Sequence, residues 1–212
     1  MKRNRFLYVA LVSVTLIGLE LTWTRIFSAE FFYTFAFLVL SLAVLGLGLG
    51  ALALRLFPKL NQEKKLPLFL SLTALFTLLG PPAVFLLQIN FSTLFSDPVM
   101  IAKFLAAIVI LSSAYFTGGM ALAFIFRQYN AEMPKLYMAD LLGAALGVFV
   151  ALGLMNTLGT PATTFIIVLP VLIAAFLSSR GFLKAVPLVL VALMRGLLMQ
   201  ADSLLQLERA AP

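Results

Sequence analysis

The stretch Phe31-Phe32-Tyr33-Thr34-Phe35-Ala36-Phe37-Leu38-Val39-Leu40-Ser41-Leu42-Ala43-Val44-Leu45-Gly46-Leu47-Gly48-Leu49-Gly50-Ala51-Leu52-Ala53-Leu54 contains no charged residue and continues to Phe57 with only Arg55 added. A helix rises 1.5 Å per residue, so about 20 such residues cross the hydrocarbon of a bilayer. Similar runs lie on both sides of it: Phe6 to Phe27, Pro67 to Ile89, Val99 to Phe126, Leu136 to Leu158 and Pro161 to Leu177. A seventh run, Ala185 to Gln200, is short and carries Arg195. Of the 212 residues 63% are hydrophobic and 11% charged, too few charges to cover a water-facing surface of this size. The sequence therefore predicts an all-α, polytopic membrane protein with six or seven transmembrane helices. Residues 1–184 form a six-span bundle, and 185–212 a seventh span or an amphipathic helix lying on the membrane. In that tail Leu197, Leu198, Leu204, Leu205 and Leu207 alternate with Arg195, Gln200, Asp202, Gln206, Glu208 and Arg209.

Composition removes several chemistries. The chain has no His and no Cys, hence no imidazole acid–base group, no thiol nucleophile, no disulfide and none of the commonest metal ligands. No cofactor site is expected. The net charge of +7 comes from basic residues scattered through the flanks of the apolar runs, which points to membrane lipids with anionic head groups and not to nucleic acid. Lys2, Arg3 and Arg5 ahead of the first run resemble the start of a signal peptide. However, Glu20, Trp23 and Arg25 stand where a small-residue cleavage site belongs, so the run reads as a retained span.

The same basic residues set an orientation. Arg55, Lys59, Lys64 and Lys65 follow the second run, Arg127 and Lys135 the fourth, and Arg180 and Lys184 the sixth, whereas the opposite ends carry only Arg25 and Lys103. The expectation is a multi-pass protein of the cell membrane with a cytoplasmic N-terminus.

Few residues within the runs carry chemistry. Glu20 is a carboxylate in an apolar helix, and Trp23 shares its face at i+3, while Arg25 points about 140° away. A cation for Glu20 must come from another helix, and Lys103 is the expected partner; a structural ion pair or a carboxylate reaching the interface are the plainer roles. Asp140 shares a face with Tyr137 and adjoins the ladder Ala139, Gly143, Gly147 and Ala151. It is expected to face protein, or else to sit at its helix N-terminus paired with Lys135 or Arg127. Gly46 and Gly50, like Gly143 and Gly147, have the spacing that lets helix backbones approach closely. Gly46-Leu47-Gly48-Leu49-Gly50 superficially resembles a nucleotide-binding loop, but it lies within an apolar span without the preceding strand and following amphipathic helix such a loop needs, so helix packing is its expected role. Pro81-Pro82 and Gly118-Gly119 mark kinks, and Phe31, Phe32, Tyr33, Phe35 and Phe37 suggest an interfacial aromatic belt.

Gly18-Leu19-Glu20-Leu21-Thr22-Trp23-Thr24-Arg25 with Gly46-Leu47-Gly48-Leu49-Gly50, then Phe116-Thr117-Gly118-Gly119, the block from Leu136 and Tyr137 to Gly147, and Leu158-Gly159-Thr160-Pro161-Ala162-Thr163 resemble the transmembrane region of membrane-bound spermidine synthase-like proteins. The resemblance implies the membrane half of that family without its soluble aminopropyltransferase domain, so no catalytic residue carries over. Three functions follow as expectations. The first is a non-catalytic anchoring or assembly subunit with other membrane subunits or further copies of itself as partners. The second is a carrier or channel for small organic cations such as polyamines. The third is the membrane subunit of an enzyme completed by a separate aminopropyltransferase-like partner.

Overall fold

The computed structural model describes residues 4–31 and 35–201. Within them the chain is helical, with no strand. Seven α-helices follow in order: α1 Arg5–Glu30, α2 Phe35–Leu56, α3 Leu66–Leu86, α4 Pro98–Gln128, α5 Met133–Ile166, α6 Leu169–Ser178 and α7 Ala185–Met199. The tail from Asp202 to Arg209, with Lys2, Arg3, Phe32 and Tyr33, lies outside the described residues.

Local signals place several helix ends. Asp97 accepts a hydrogen bond from the Val99 N–H at 2.8 Å and caps α4, with Pro98 in the first turn where a missing N–H costs nothing. Pro67 and Pro134 open α3 and α5 in the same manner. Five helical stretches are long and apolar enough to cross a membrane; one of them, Asn130–Ser178, has 49 residues. Unbroken, it would extend about 73 Å. It is broken at Gly159, whose φ of 82° and ψ of 164° lie in a region closed to side chains. Ala151 before the break and Ile167 after it both lie against Gly18 of α1, so the chain reverses between them. α7 has 15 residues, a length below the five.

α1 is the centre of the bundle, with buried residues from Tyr8 to Phe27. α5 runs parallel to it: Gly143 lies on Ala10, Gly147 on Val14 and Ala151 near Gly18. α6 runs antiparallel. Its Val171 N–H, freed by the turn at Ile167 and Val168, donates to the buried Thr15 hydroxyl at 3.1 Å. α2 and α4 form a second parallel pair, Gly46 against Ser112 and Tyr115, and Gly50 against Met120. α3 lies antiparallel to α4, joined by the Thr73–Thr117 hydroxyl pair at 3.1 Å. These directions gather Arg5, Arg55, Lys64, Arg127, Lys135 and Arg180 at one end of the bundle and leave Arg25 and Lys103 toward the other.

Phe31 and Phe35 do not form a lipid-facing belt. They pack with Phe27, Phe85, Phe91 and Phe104, with ring centroids 4.8 to 6.4 Å apart, because α1, α2 and α4 converge at that end. Phe37, 66% exposed, faces outward.

Candidate functional site

Trp23 is fully buried where α1, α3 and α4 meet. Its indole stands edge-on to Tyr115, ring centroids 5.7 Å apart at 87°, and to Phe27, 6.2 Å apart at 76°. Gly80 makes room for it, since a Cβ there would stand 2.9 Å from the indole. One turn before Gly80 on the same face of α3 is Thr77. Trp23 Nε1, Thr77 Oγ1 and Tyr115 Oη are all buried without a hydrogen-bond partner among the described residues. Pro81 and Pro82 have no N–H, so the Thr77 and Leu78 carbonyls also lack their helical donors. Glu20, one turn before Trp23 on α1, is half-buried. The site thus combines a carboxylate, unpaired hydroxyls, an indole N–H, two backbone carbonyls without their i+4 helical donors, and aromatic surface.

Of the residues singled out from sequence, only Glu20 and Trp23 meet here. Lys103 is not the partner of Glu20, and the two make no ion pair. Lys103 precedes Tyr115 by twelve residues on α4, about 18 Å along the axis, and stands beside Phe104 in the aromatic cluster. Arg25 is exposed. Tyr137 is 56% exposed and takes no part in a polar cluster. Asp140 accepts a hydrogen bond from Ser13 and pairs with neither Lys135 nor Arg127. Ser13 and Glu20 share a face of α1 two turns apart, so the two acids lie along one flank, separated by about 10 Å, and not in a common site. Gly46, Gly50, Gly143 and Gly147 all lie at helix contacts within the chain.

Sequence reasoning missed Thr77, Tyr115 and Ser13, uncharged groups inside apolar runs with no local signal. It also missed Glu132, which pairs with Arg5 at the basic end, where the guanidinium lies over the Tyr129 ring at 4.8 Å. A cavity of about 500 Å³ opens at that end, lined by Glu63, Lys64, Pro67, Ser178, Arg180 and Leu183. No group of three or more acidic side chains that could hold a metal occurs among the described residues.

No family model, curated protein or solved structure matches the chain. The residues that carry the resemblance to the spermidine synthase-like membrane region have roles inside this fold. Gly46, Gly50, Gly143 and Gly147 bring backbones together, Asp140 bonds Ser13, and Gly159 reverses the chain.

Proposed function

We propose that the chain is a multi-pass membrane protein, N-terminus on the cytoplasmic side, that serves as an anchoring or assembly subunit for partners within the bilayer. The basic end supports the orientation, since Lys and Arg collect on the cytoplasmic side of membrane proteins. Broad faces of α2 and α5 that carry exposed Leu, Val and Phe residues support the membrane setting.

The observation behind assembly is the outward face of α5. Its inner face is taken up by α1, yet the small residues Gly153 and Thr157, four apart, remain exposed beside exposed Asn156, with exposed Phe149 one turn earlier on the same row. A Cβ on Gly153 would meet nothing within 4 Å. Small residues that permit close approach, next to a side-chain amide able to bond across helices, are the features by which membrane helices associate. Because the chain has no Cys, a single cysteine introduced at Gly153 can be cross-linked in native membranes. The expected result is a defined adduct with a second copy or another membrane protein, absent from a cysteine at Val44, the exposed face of α2. Equal, diffuse adducts from both positions refute the assembly role of α5.

A further inference from the structure

The cavity of about 500 Å³ at the basic end joins two segments far apart in sequence: Glu63, Lys64 and Pro67 at the start of α3, and Ser178, Arg180 and Leu183 after α6. Its volume falls within the range of about 300–1,000 Å³ typical of small-molecule sites. Two cations and one carboxylate line it, yet neither Lys64 nor Arg180 makes an ion pair among the described residues. The lining therefore carries one positive charge in excess, and none of its three charges is neutralised by contact. Acceptors stand beside the cations. Ser178 Oγ donates its proton to the Ala175 carbonyl at 3.0 Å, which leaves its oxygen lone pairs to accept, and an ionised Glu63 can only accept. The cavity thus suits a guest that is anionic and also carries hydroxyl donors. Its position selects the source of that anion. Given the membrane setting proposed above, the basic end meets the level of the lipid head groups. Leu68 and Leu177, the chain neighbours of Pro67 and Ser178, are 51% and 44% exposed, so surface for acyl chains adjoins the cavity. A free phosphate ion would leave that apolar surface unused.

We propose that this cavity binds the head group of an anionic phospholipid that carries hydroxyls, of the phosphatidylglycerol kind. Arg180, with its planar fork of donors, and Lys64 hold the phosphodiester oxygens. Glu63 and Ser178 accept from the head-group hydroxyls, Pro67 and Leu183 pack against its carbons, and the acyl chains leave over Leu68 and Leu177. The inference rests on the membrane setting and is independent of the assembly role of α5.

Native mass spectrometry of the full chain, released from mild detergent, resolves lipid adducts one by one. The chain is titrated with phosphatidylglycerol, with phosphatidylmethanol, which has the same charge and no hydroxyl, and with phosphatidylcholine, all of identical acyl chains. The first phosphatidylglycerol should bind about tenfold or more tightly than phosphatidylcholine and several-fold more tightly than phosphatidylmethanol. A large excess of inorganic phosphate should not displace it. Lys64→Gln and Arg180→Gln should each weaken it about fivefold, the worth of one basic residue beside an anionic head group, with unchanged circular dichroism. Arg55→Gln, at the same end but on α2, should bind as the wild type does. If one cavity variant misfolds, the other carries the test. Equal affinity for phosphatidylglycerol and phosphatidylcholine overturns the site and leaves the membrane setting intact. A chain that stays in solution without detergent and takes up no lipid overturns both. Equal binding of phosphatidylmethanol, displacement by phosphate, which marks a free-anion site, or an equal loss in Arg55→Gln also overturns the proposal.

Discussion

Ser13 of α1 and Asp140 of α5, 127 residues apart, are joined by a hydrogen bond in which the hydroxyl donates to the carboxylate. The Ser13 oxygen also lies 2.9 Å from the Val9 carbonyl of its own helix, so that carbonyl competes with Asp140 for the one hydroxyl proton. Asp140→Ala and Ser13→Ala should each lower stability, and a double-mutant cycle should give a coupling of about 0.5–2 kcal/mol, the range for hydrogen bonds between membrane helices. Asp140→Asn keeps an acceptor and should be the mildest change. Additive effects in detergent unfolding would show that the bond contributes nothing.

Below that bond the same seam closes on glycine. A Cβ at Gly143 would stand 2.8 Å from the Ala10 Cα, and one at Gly147 2.8 Å from the Val14 carbonyl oxygen; both obstacles are backbone. Gly143→Leu and Gly147→Ile should therefore force α1 and α5 apart, with a loss of about 2 kcal/mol or more. Gly48 and Gly153, where a Cβ meets nothing within 4 Å, should accept Ala with little change in folding. Thermal unfolding of the four variants tests the contrast, and a Gly147→Ile chain as stable as wild type would falsify the seam.

These two contacts show what the sequence makes legible. Long apolar runs with polar flanks predict helices because nothing else satisfies a backbone in hydrocarbon, and the helices fall on those runs. Four-residue glycine spacing names a packing face, but not which helix covers it. That choice depends on three-dimensional register, as does depth. Lys103 and Glu20 both follow from span-end arguments, yet the antiparallel register of α1 and α4 sets them far apart. The hydroxyls and phenol of the candidate site were invisible for a simpler reason: Thr in an apolar helix has its own carbonyls as ready partners, and Tyr carries its hydroxyl on a ring that packs as an apolar group. Only the fold shows that Thr77 Oγ1 and Tyr115 Oη are without one.

Acid should loosen the basic end. The hydrogen bond from Arg5 holds the Glu132 carboxyl below its ordinary value, helped by the positive charges of Arg5 and Lys135. A carboxylate with a depressed folded-state pKa contributes stability that is complete above the unfolded value and is lost as pH falls through the folded one. Stability of the wild type should decline below about pH 4.5, the ordinary glutamate value, while Glu132→Gln should lack that component and converge with wild type in acid. Tyr129 works in the opposite direction. Burial first, then the Glu63 carboxylate, raises its pKa, so its contribution is complete below about pH 10 and is lost on further rise. Unfolding measured across pH separates the two limbs; a Glu132→Gln profile parallel to wild type in acid would remove Glu132 from the account.

Sidedness has a direct readout in a chain without cysteine. Ser92, exposed in the turn Phe91–Thr93, and Gln62, exposed between α2 and α3, stand at opposite ends of the bundle. A cysteine at Ser92 should react with an impermeant maleimide in intact cells, and one at Gln62 only after permeabilisation. The reverse pattern inverts the proposed orientation, and equal labelling in intact cells rejects a membrane-spanning bundle.

The reversal between α5 and α6 rests on one residue. Gly159 has φ 82° and ψ 164°, a conformation that a Cβ penalises by about 1–3 kcal/mol. Space is not the obstacle, since the nearest neighbour of a Cβ there is the Pro161 ring at 3.8 Å; the backbone itself is. Downstream of the turn, Thr163 donates to the Gly159 carbonyl at 2.7 Å, and Ile167 is carried back to Gly18. Gly159→Ala should therefore destabilise the chain by about 1–3 kcal/mol, and Gly159→Val somewhat more, since a β-branched side chain is still less tolerant of positive φ. The damage should be local. A cysteine at Thr157, beside the turn, should become more reactive in both variants, while one at Ser92 is unchanged. If Gly159→Ala unfolds at the wild-type midpoint, the chain turns without needing this backbone geometry, and the hairpin must be held by the contacts of Ala151 and Ile167 with α1 alone.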